Sequence, residues 1–202
     1  MQDTYKTIDQ PGEEVLFKEK NSKFFGYTFP VQSEEEVKTI LDQVKKQHFS
    51  ARHWCYAYQI GTKNKIYRAN DDGEPNNSAG IPIYGQIQSF DVTNILVVVV
   101  RYFGGVKLGV GGLVTAYKTA AQMALEESEI IEKTIDSHFL IRFDYKNMNK
   151  VMRVIKEKNI NIVNQTLELD CLTEISCRIS QKDEIFNAFN QIFEVSINEK
   201  ED

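Results

Sequence analysis

Five of the eleven glycines in this chain fall within nine residues: Gly104, Gly105, Gly109, Gly111 and Gly112. They lie in the stretch Arg101-Tyr-Phe-Gly-Gly-Val-Lys-Leu-Gly-Val-Gly-Gly-Leu. An apolar run, Ile95 to Val100, precedes it, and an alanine-rich run, Leu113 to Leu125, follows. The pattern predicts a buried strand, a glycine loop carrying two cations, and a long helix. Glycine lets the backbone turn tightly and present consecutive N–H groups, which can surround an anion at a helix N-terminus. With Arg101 and Lys107 beside those groups, the loop is expected to meet phosphate, although the same glycines would also let the helix pack tightly on the sheet. The spacing excludes two familiar phosphate loops. A Walker A loop requires Lys-Ser/Thr after its second glycine, and Val110 follows Gly109 here. A dinucleotide fingerprint begun at Gly109 and Gly111 requires a glycine where Val114 stands.

At 202 residues the chain suits one large domain or two small ones, and 42% hydrophobic residues are ample for a core. The net charge of -5 excludes nucleic-acid binding by bulk charge. Local charge differs. From Gln43 to Asn70 there are six cations (Lys45, Lys46, Arg52, Lys63, Lys65, Arg68) and no carboxylate, with Phe49, Trp54, Tyr56, Tyr58 and Tyr67 interleaved. Val92 to Leu125 carries Arg101, Lys107 and Lys118, again with no carboxylate. Cations neutralise phosphates and aromatic rings stack on bases, so this is either a surface for single-stranded RNA or a solvated strand whose rings face the core.

Cys55, Cys171 and Cys177 have no metal-ligand spacing and leave one thiol over in any disulfide scheme, which points to reduced thiols and a cytoplasmic protein. Cys55 near His53 could pair as nucleophile and base, but no third partner is identified. The N-terminal stretch lacks the apolar core of a signal peptide, and the longest apolar run is far too short to span a bilayer. No membrane association and no cofactor are expected.

Along the chain, Glu14 to Lys20 and Lys23 to Val31 read as a hairpin turning at Asn21-Ser22. Ser33-Glu34-Glu35-Glu36 is a capping box opening a helix that runs to about His48, with Val37, Ile40, Leu41 and Val44 on its buried face. Trp54 to Ile60 and Ile66 to Ala69 read as strands, and Pro82 marks the first turn of a helix to about Ser89. Between them, Asp71, Asp72 and Glu74 have two readings. They could hold a divalent metal, or they could bond nearby backbone N–H groups and pair with Arg52, Arg68 or Arg101. They do not fit the calcium loop of an EF-hand. Beyond residue 135 the order is strand (Ser137 to Asp144), helix (Met148 to Asn159), strand (Ile162 to Leu169), strand (Leu172 to Ser180), helix (Asp183 to Ile192), strand (Phe193 to Asn198). This βαββαβ order predicts an α+β, ferredoxin-like domain over residues 136–202, following an N-terminal domain over 1–135.

Four segments carry a resemblance: Ser22-Lys-Phe; Ala51-Arg-His-Trp-Cys-Tyr-Ala-Tyr; Asp71-Asp-Gly-Glu-Pro with Ala79-Gly-Ile-Pro; and Val98-Val-Val-Arg-Tyr-Phe-Gly-Gly-Val-Lys-Leu-Gly-Val-Gly-Gly-Leu-Val-Thr-Ala-Tyr. On these, spread over residues 20 to 121, the chain resembles the YigZ/IMPACT family of small cytoplasmic proteins. The resemblance implies an N-terminal domain like ribosomal protein S5 domain 2 and elongation factor G domain IV, and a C-terminal domain like domain V of that factor. Eukaryotic relatives regulate translation through a protein partner. Two positions depart from the family's habit: Thr115 stands where arginine is frequent, and Lys118 where serine or glycine is. They lie one helical turn apart, so the cation is expected to have moved by one turn.

These readings give three expectations. The first is a factor binding RNA or the ribosome without chemistry of its own. It would use Arg52, His53, Arg101, Tyr102, Lys107 and Lys118, with Gly104, Gly105, Gly109, Gly111 and Gly112 supplying backbone donors, Lys63 adding charge and Trp54 or Tyr102 stacking. The second is an enzyme on a phosphorylated small molecule, with magnesium at Asp71, Asp72 and Glu74 and His53 as base. The third is a module docking a protein partner in translation control.

Overall fold

The computed structural model describes residues 3–200. The chain divides into two compact units, one of residues 5–133 and one of residues 134–200 together with Asp3 and Thr4. Asp3 joins the second through its backbone and side chain: Ile135 N–H donates to the Asp3 carbonyl (2.8 Å) and Ser180 N–H to Asp3 Oδ1 (3.1 Å).

In the first unit, β2 (Val15–Glu19), β3 (Ser22–Pro30), β4 (His53–Ile60), β5 (Ile66–Asn70) and β6 (Ile95–Tyr102) form a sheet in the order β2-β3-β6-β4-β5. Every neighbouring pair is antiparallel. The β2–β3 turn falls at Lys20 and Asn21, both at positive φ, one residue earlier than the sequence suggests. That backbone matches the two-residue turns that follow strand twist. β3 and β4 flank β6 and run the same way, joined by α1 (Glu34–Gln47). Ser33 caps α1 by accepting from Glu36 N–H, and Glu36 Oε2 accepts in return from Gln32 N–H. This is the capping box shifted by one donor.

The sheet is covered on both faces. α1 packs Val37, Leu41 and Val44 against Tyr27, Tyr58, Leu96, Val98 and Val100. On the opposite face lie α2 (Gly80–Ser89) and α3 (Gly109–Glu126), whose Ile83, Ile87, Leu113, Ala116, Ala120 and Ala121 meet Phe24, Cys55, Ala57, Val97 and Val99. β6 is buried on both faces, which is why it reads as an unbroken apolar run. α2 begins at Gly80 and ends at Ser89, which puts Pro82 in the first turn as expected, where its missing N–H costs nothing. One boundary differs from expectation. α3 begins at Gly109, four residues before Leu113, so three of the five clustered glycines belong to the helix. A further pair of strands, β1 (Thr4–Ile8) and β7 (Ile130–Thr134), forms a two-stranded sheet with no counterpart in the sequence reading.

The second unit follows the order β8 (Asp136–Asp144), α4 (Met148–Glu157), β9 (Asn161–Thr166), β10 (Asp170–Arg178), α5 (Lys182–Asn190), β11 (Val195–Glu199). Its antiparallel sheet has the order β11-β8-β10-β9. The core joins Phe139, Ile141 and Phe143 to Val151, Ile155, Ile175, Ile185 and Phe189. Among the described residues, no helix is long and apolar enough to cross a membrane.

Candidate functional site

His53 on β4 and Arg101 on β6 are direct cross-strand partners on the face that carries α2 and α3. Above them lies a cavity of about 440 Å³, walled by Arg52, His53, Glu74 and Arg101, by Pro75, Phe103 and Lys107, and by the start of α3. It falls in the volume range of small-ligand sites.

The floor is an ion pair. Arg101 Nη1 donates to Glu74 Oε1 at 2.6 Å, with side chains only 7% and 4% exposed. Tyr117 from α3 donates its hydroxyl to the same oxygen at 2.8 Å. Burial raises the Tyr117 phenol far above its ordinary pKa, so it stays a donor. The Arg101 guanidinium lies between the rings of Phe24 (5.6 Å) and Phe103 (5.5 Å), and its buried Nε has no partner. Arg101 is therefore a fixed, buried cation rather than a surface one.

His53 is oriented from behind. Its Nδ1 lies 2.9 Å from the Asp72 carbonyl, which can only accept, so Nδ1 carries the proton. In the neutral ring Nε2 is left bare, 4.0 Å from Glu74 Oε1. Arg52 and Lys107 at the rim are exposed and take part in no ion pair among the described residues.

The third element is the first turn of α3. Leu108 at its N-cap offers no side-chain acceptor, and the first turn holds no acidic residue. Among the described residues, the leading N–H groups and the positive dipole end are thus unanswered. α2 contrasts with this: Asp71 Oδ1 accepts from Ala79 N–H (2.9 Å) and Gly80 N–H (2.8 Å), and Oδ2 accepts from Asn77 N–H (2.8 Å).

The glycines separate by role. A Cβ on Gly104 would lie 2.0 Å from the Asn21 carbonyl carbon, so this position exists for close backbone approach, and Gly104 N–H donates to buried Ser22 Oγ (3.1 Å). Gly109 has φ +72, which favours glycine. Gly111 has neither reason: it is helical, its φ is ordinary, and a Cβ there would meet nothing within 4 Å.

Of the residues singled out by sequence, the fold brings Arg52, His53, Glu74, Arg101, Lys107 and Gly109 to one cavity. Tyr102 and Trp54 do not join them, because neighbours along a strand point to opposite faces. Tyr102 hydroxyl meets His48 Nδ1 (3.0 Å) on the α1 side, and Lys45 lies over the Trp54 ring (5.8 Å). Lys118 and Thr115 are exposed on α3, outside the cavity lining, and Lys63 sits in the β4–β5 turn. The acidic segment does not converge: Asp71 serves α2, Asp72 Oδ2 accepts from Trp54 N–H (2.7 Å), and Glu74 holds Arg101. Among the described residues, no three His, Cys, Asp or Glu side chains are grouped to hold a metal ion. Cys55 is buried, donates to the Asp71 carbonyl (3.0 Å), and its thiol is pushed up in pKa by burial, which removes it as a nucleophile. Sequence reasoning missed Tyr117 as a partner of Glu74 and Ser22 as the anchor of Gly104, although both stand in the segments that carry the family resemblance.

Residues 20–125 match the Impact N-terminal domain. The chain is similar to the IMPACT family member YvyE of Bacillus subtilis, with 35% identity over 154 residues, 76% of this chain and 70% of that one. It is similar to the IMPACT family member YigZ of Escherichia coli, with 30% identity over 159 residues, 78% of each. Protein IMPACT of Oryctolagus cuniculus is 35% identical over 100 residues, which span 47% of this chain and 31% of the rabbit protein. A crystal structure described as that of a hypothetical protein superposes with TM-score 0.72 and 25% identity over the whole of both chains.

Proposed function

The chain belongs to the IMPACT family, and from that premise we propose that it is an RNA- or ribosome-associated factor in the control of translation, binding phosphate at the cavity beside α3. The observation that carries this reading is the convergence of Arg52, Lys107 and the uncapped start of α3 on one concave site, with Arg101 fixed in its floor. A cation pair and a helix N-terminus attract the same ligand, and the ligand they share is a phosphate. The affinity comes from this local field, since the molecule as a whole carries -5. The order β11-β8-β10-β9 in the second unit supports reading that unit as ferredoxin-like, in keeping with a translation-factor ancestry.

An enzyme on a phosphorylated small molecule draws support from one observation, His53 in the cavity lining with its Nδ1 held by the Asp72 carbonyl. The carboxylates it needs for magnesium are each engaged by protein donors, which makes it the weaker reading.

Co-sedimentation with ribosomes over a salt series tests the proposal, comparing wild type with an Arg52→Ala, Lys107→Ala double variant. Both side chains are exposed, so the fold is expected to stand. Each lost phosphate contact should reduce the salt slope by about 1. Ribosome binding of equal strength and slope in the two proteins would overturn the reading.

A further inference from the structure

We propose that the cavity beside α3 takes the terminal nucleotide of an RNA, with its phosphomonoester at the first turn of the helix and its base against Phe103. The inference rests on the phosphate-binding reading above and specifies its ligand.

Charge selects the end of a strand over its interior. Arg101 and Glu74 cancel each other in the floor. What remains unanswered is Arg52, Lys107 and the helix end, the last equivalent to roughly half a positive charge. That sum suits a terminal phosphate, which carries about -1.5 to -2, better than a backbone phosphodiester with its single charge. Arg101 itself lines the cavity from a side chain 93% buried, so the floor beneath this rim is fixed in place.

The walls select a nucleotide over a bare phosphate. Phe103, Leu108, Leu113 and Pro75 give the cavity an apolar side. The Phe103 ring is 45% exposed and has the Arg101 guanidinium 5.5 Å from its centre, leaving it surface on which a base can stack. A volume of about 440 Å³ is more than a phosphate alone can fill. His53 adds a feature suited to ribose: its bare Nε2 accepts from a sugar hydroxyl while Nδ1 stays bonded to the Asp72 carbonyl. Gly111 fits the same picture. It follows Val110 of the lining, and among the described residues a Cβ there would meet nothing within 4 Å, so the surface beside the cavity is open at this point.

The test uses the full chain and three probes: a short single-stranded oligoribonucleotide with a 5′-phosphate, the same oligonucleotide with a 5′-hydroxyl, and AMP, with inorganic phosphate as competitor. The proposal expects the phosphorylated strand to bind about tenfold or more tighter than the hydroxyl strand, and AMP to compete better than inorganic phosphate. Val110→Asp places a carboxylate at the helix start, which the dipole favours, so thermal stability should be kept while the preference for the phosphorylated end is lost. Equal binding of the two strands overturns the inference and leaves the RNA reading standing. So does failure of every probe while ribosomes still bind through Arg52 and Lys107. Binding of AMP but of neither strand overturns the inference and makes a free nucleotide the ligand. Inorganic phosphate competing as well as AMP overturns the nucleotide.

Discussion

Glu74 Oε1 and Arg101 Nη1 stand 2.6 Å apart in a site where both side chains are almost wholly buried. The pair fixes the position of the loop that contains Glu74 against the central strand of the sheet. Tyr117 on the same oxygen ties in α3 as well. Three separate stretches of chain thus meet at one carboxylate, and it forms the floor of the candidate site.

Removing one partner should be costly. Glu74→Ala leaves a buried guanidinium without its counter-ion, and a loss of about 3–5 kcal/mol is expected from urea unfolding. Arg101→Met should destabilise too, and the double variant should lose much less than the sum of the singles. Additive losses would show that the two side chains do not act as a pair.

Asp71 is expected to matter for stability rather than ligand binding. Its carboxylate answers three N–H groups at the head of α2, so Asp71→Ala should cost about 1–2 kcal/mol. Amide exchange at Asn77, Ala79 and Gly80 should speed up while RNA affinity at matched folded fraction stays unchanged. A stable variant with lost affinity would move Asp71 into the site.

Gly111→Ala should separate stability from function in the opposite sense. Alanine is favoured over glycine inside a helix by up to about 1 kcal/mol, and there is room for its methyl group. The variant should melt higher and bind its ligand less well. Higher stability with unchanged affinity would show that the glycine is not there for a ligand.

Acid should weaken the first unit through His48. Burial lowers its pKa below the ordinary 6.5, against a smaller opposing pull from Glu14. The unfolded chain then takes up a proton before the folded one, so this contribution is whole above about 6.5 and is lost as pH falls towards the folded value. His48→Gln should flatten the stability profile in that window. An unchanged profile would place the acid sensitivity elsewhere.

Thiol reagents should leave the native protein unmodified, since Cys55, Cys171 and Cys177 are all buried and burial raises the pKa of Cys55 and Cys177. Labelling should appear only with unfolding. Rapid labelling of one thiol in the native state would contradict the packing around it.

Much of this was legible from residue order. The run Ile95 to Val100 reads as a buried strand, and Ser33-Glu34-Glu35-Glu36 as the opening of a helix, and both stand in the structure. Periodicity also gave the βαββαβ order of the second unit. It could not give β1 and β7, which are five residues each and become strands only because they pair across 122 residues or more. At the site, composition marked the loop but not the side of the sheet. Arg101 and Tyr102 look like one cationic, aromatic pair in sequence, and the pleat sends them to opposite faces. Nor could charge alone show that Arg101 is spent on Glu74 while Lys107 meets no carboxylate among the described residues.

The contact between Gly104 and the β2–β3 turn has a mechanical consequence. Its backbone touches Asn21 too closely for any side chain, and Ser22 bonds it in place, so the loop is pinned where it leaves β6. At its other end the rigid body of α3 begins at Gly109. An arriving guest therefore finds an arch of four residues, 105–108, as the whole of the adjustable span, and Lys107 rides near its crown.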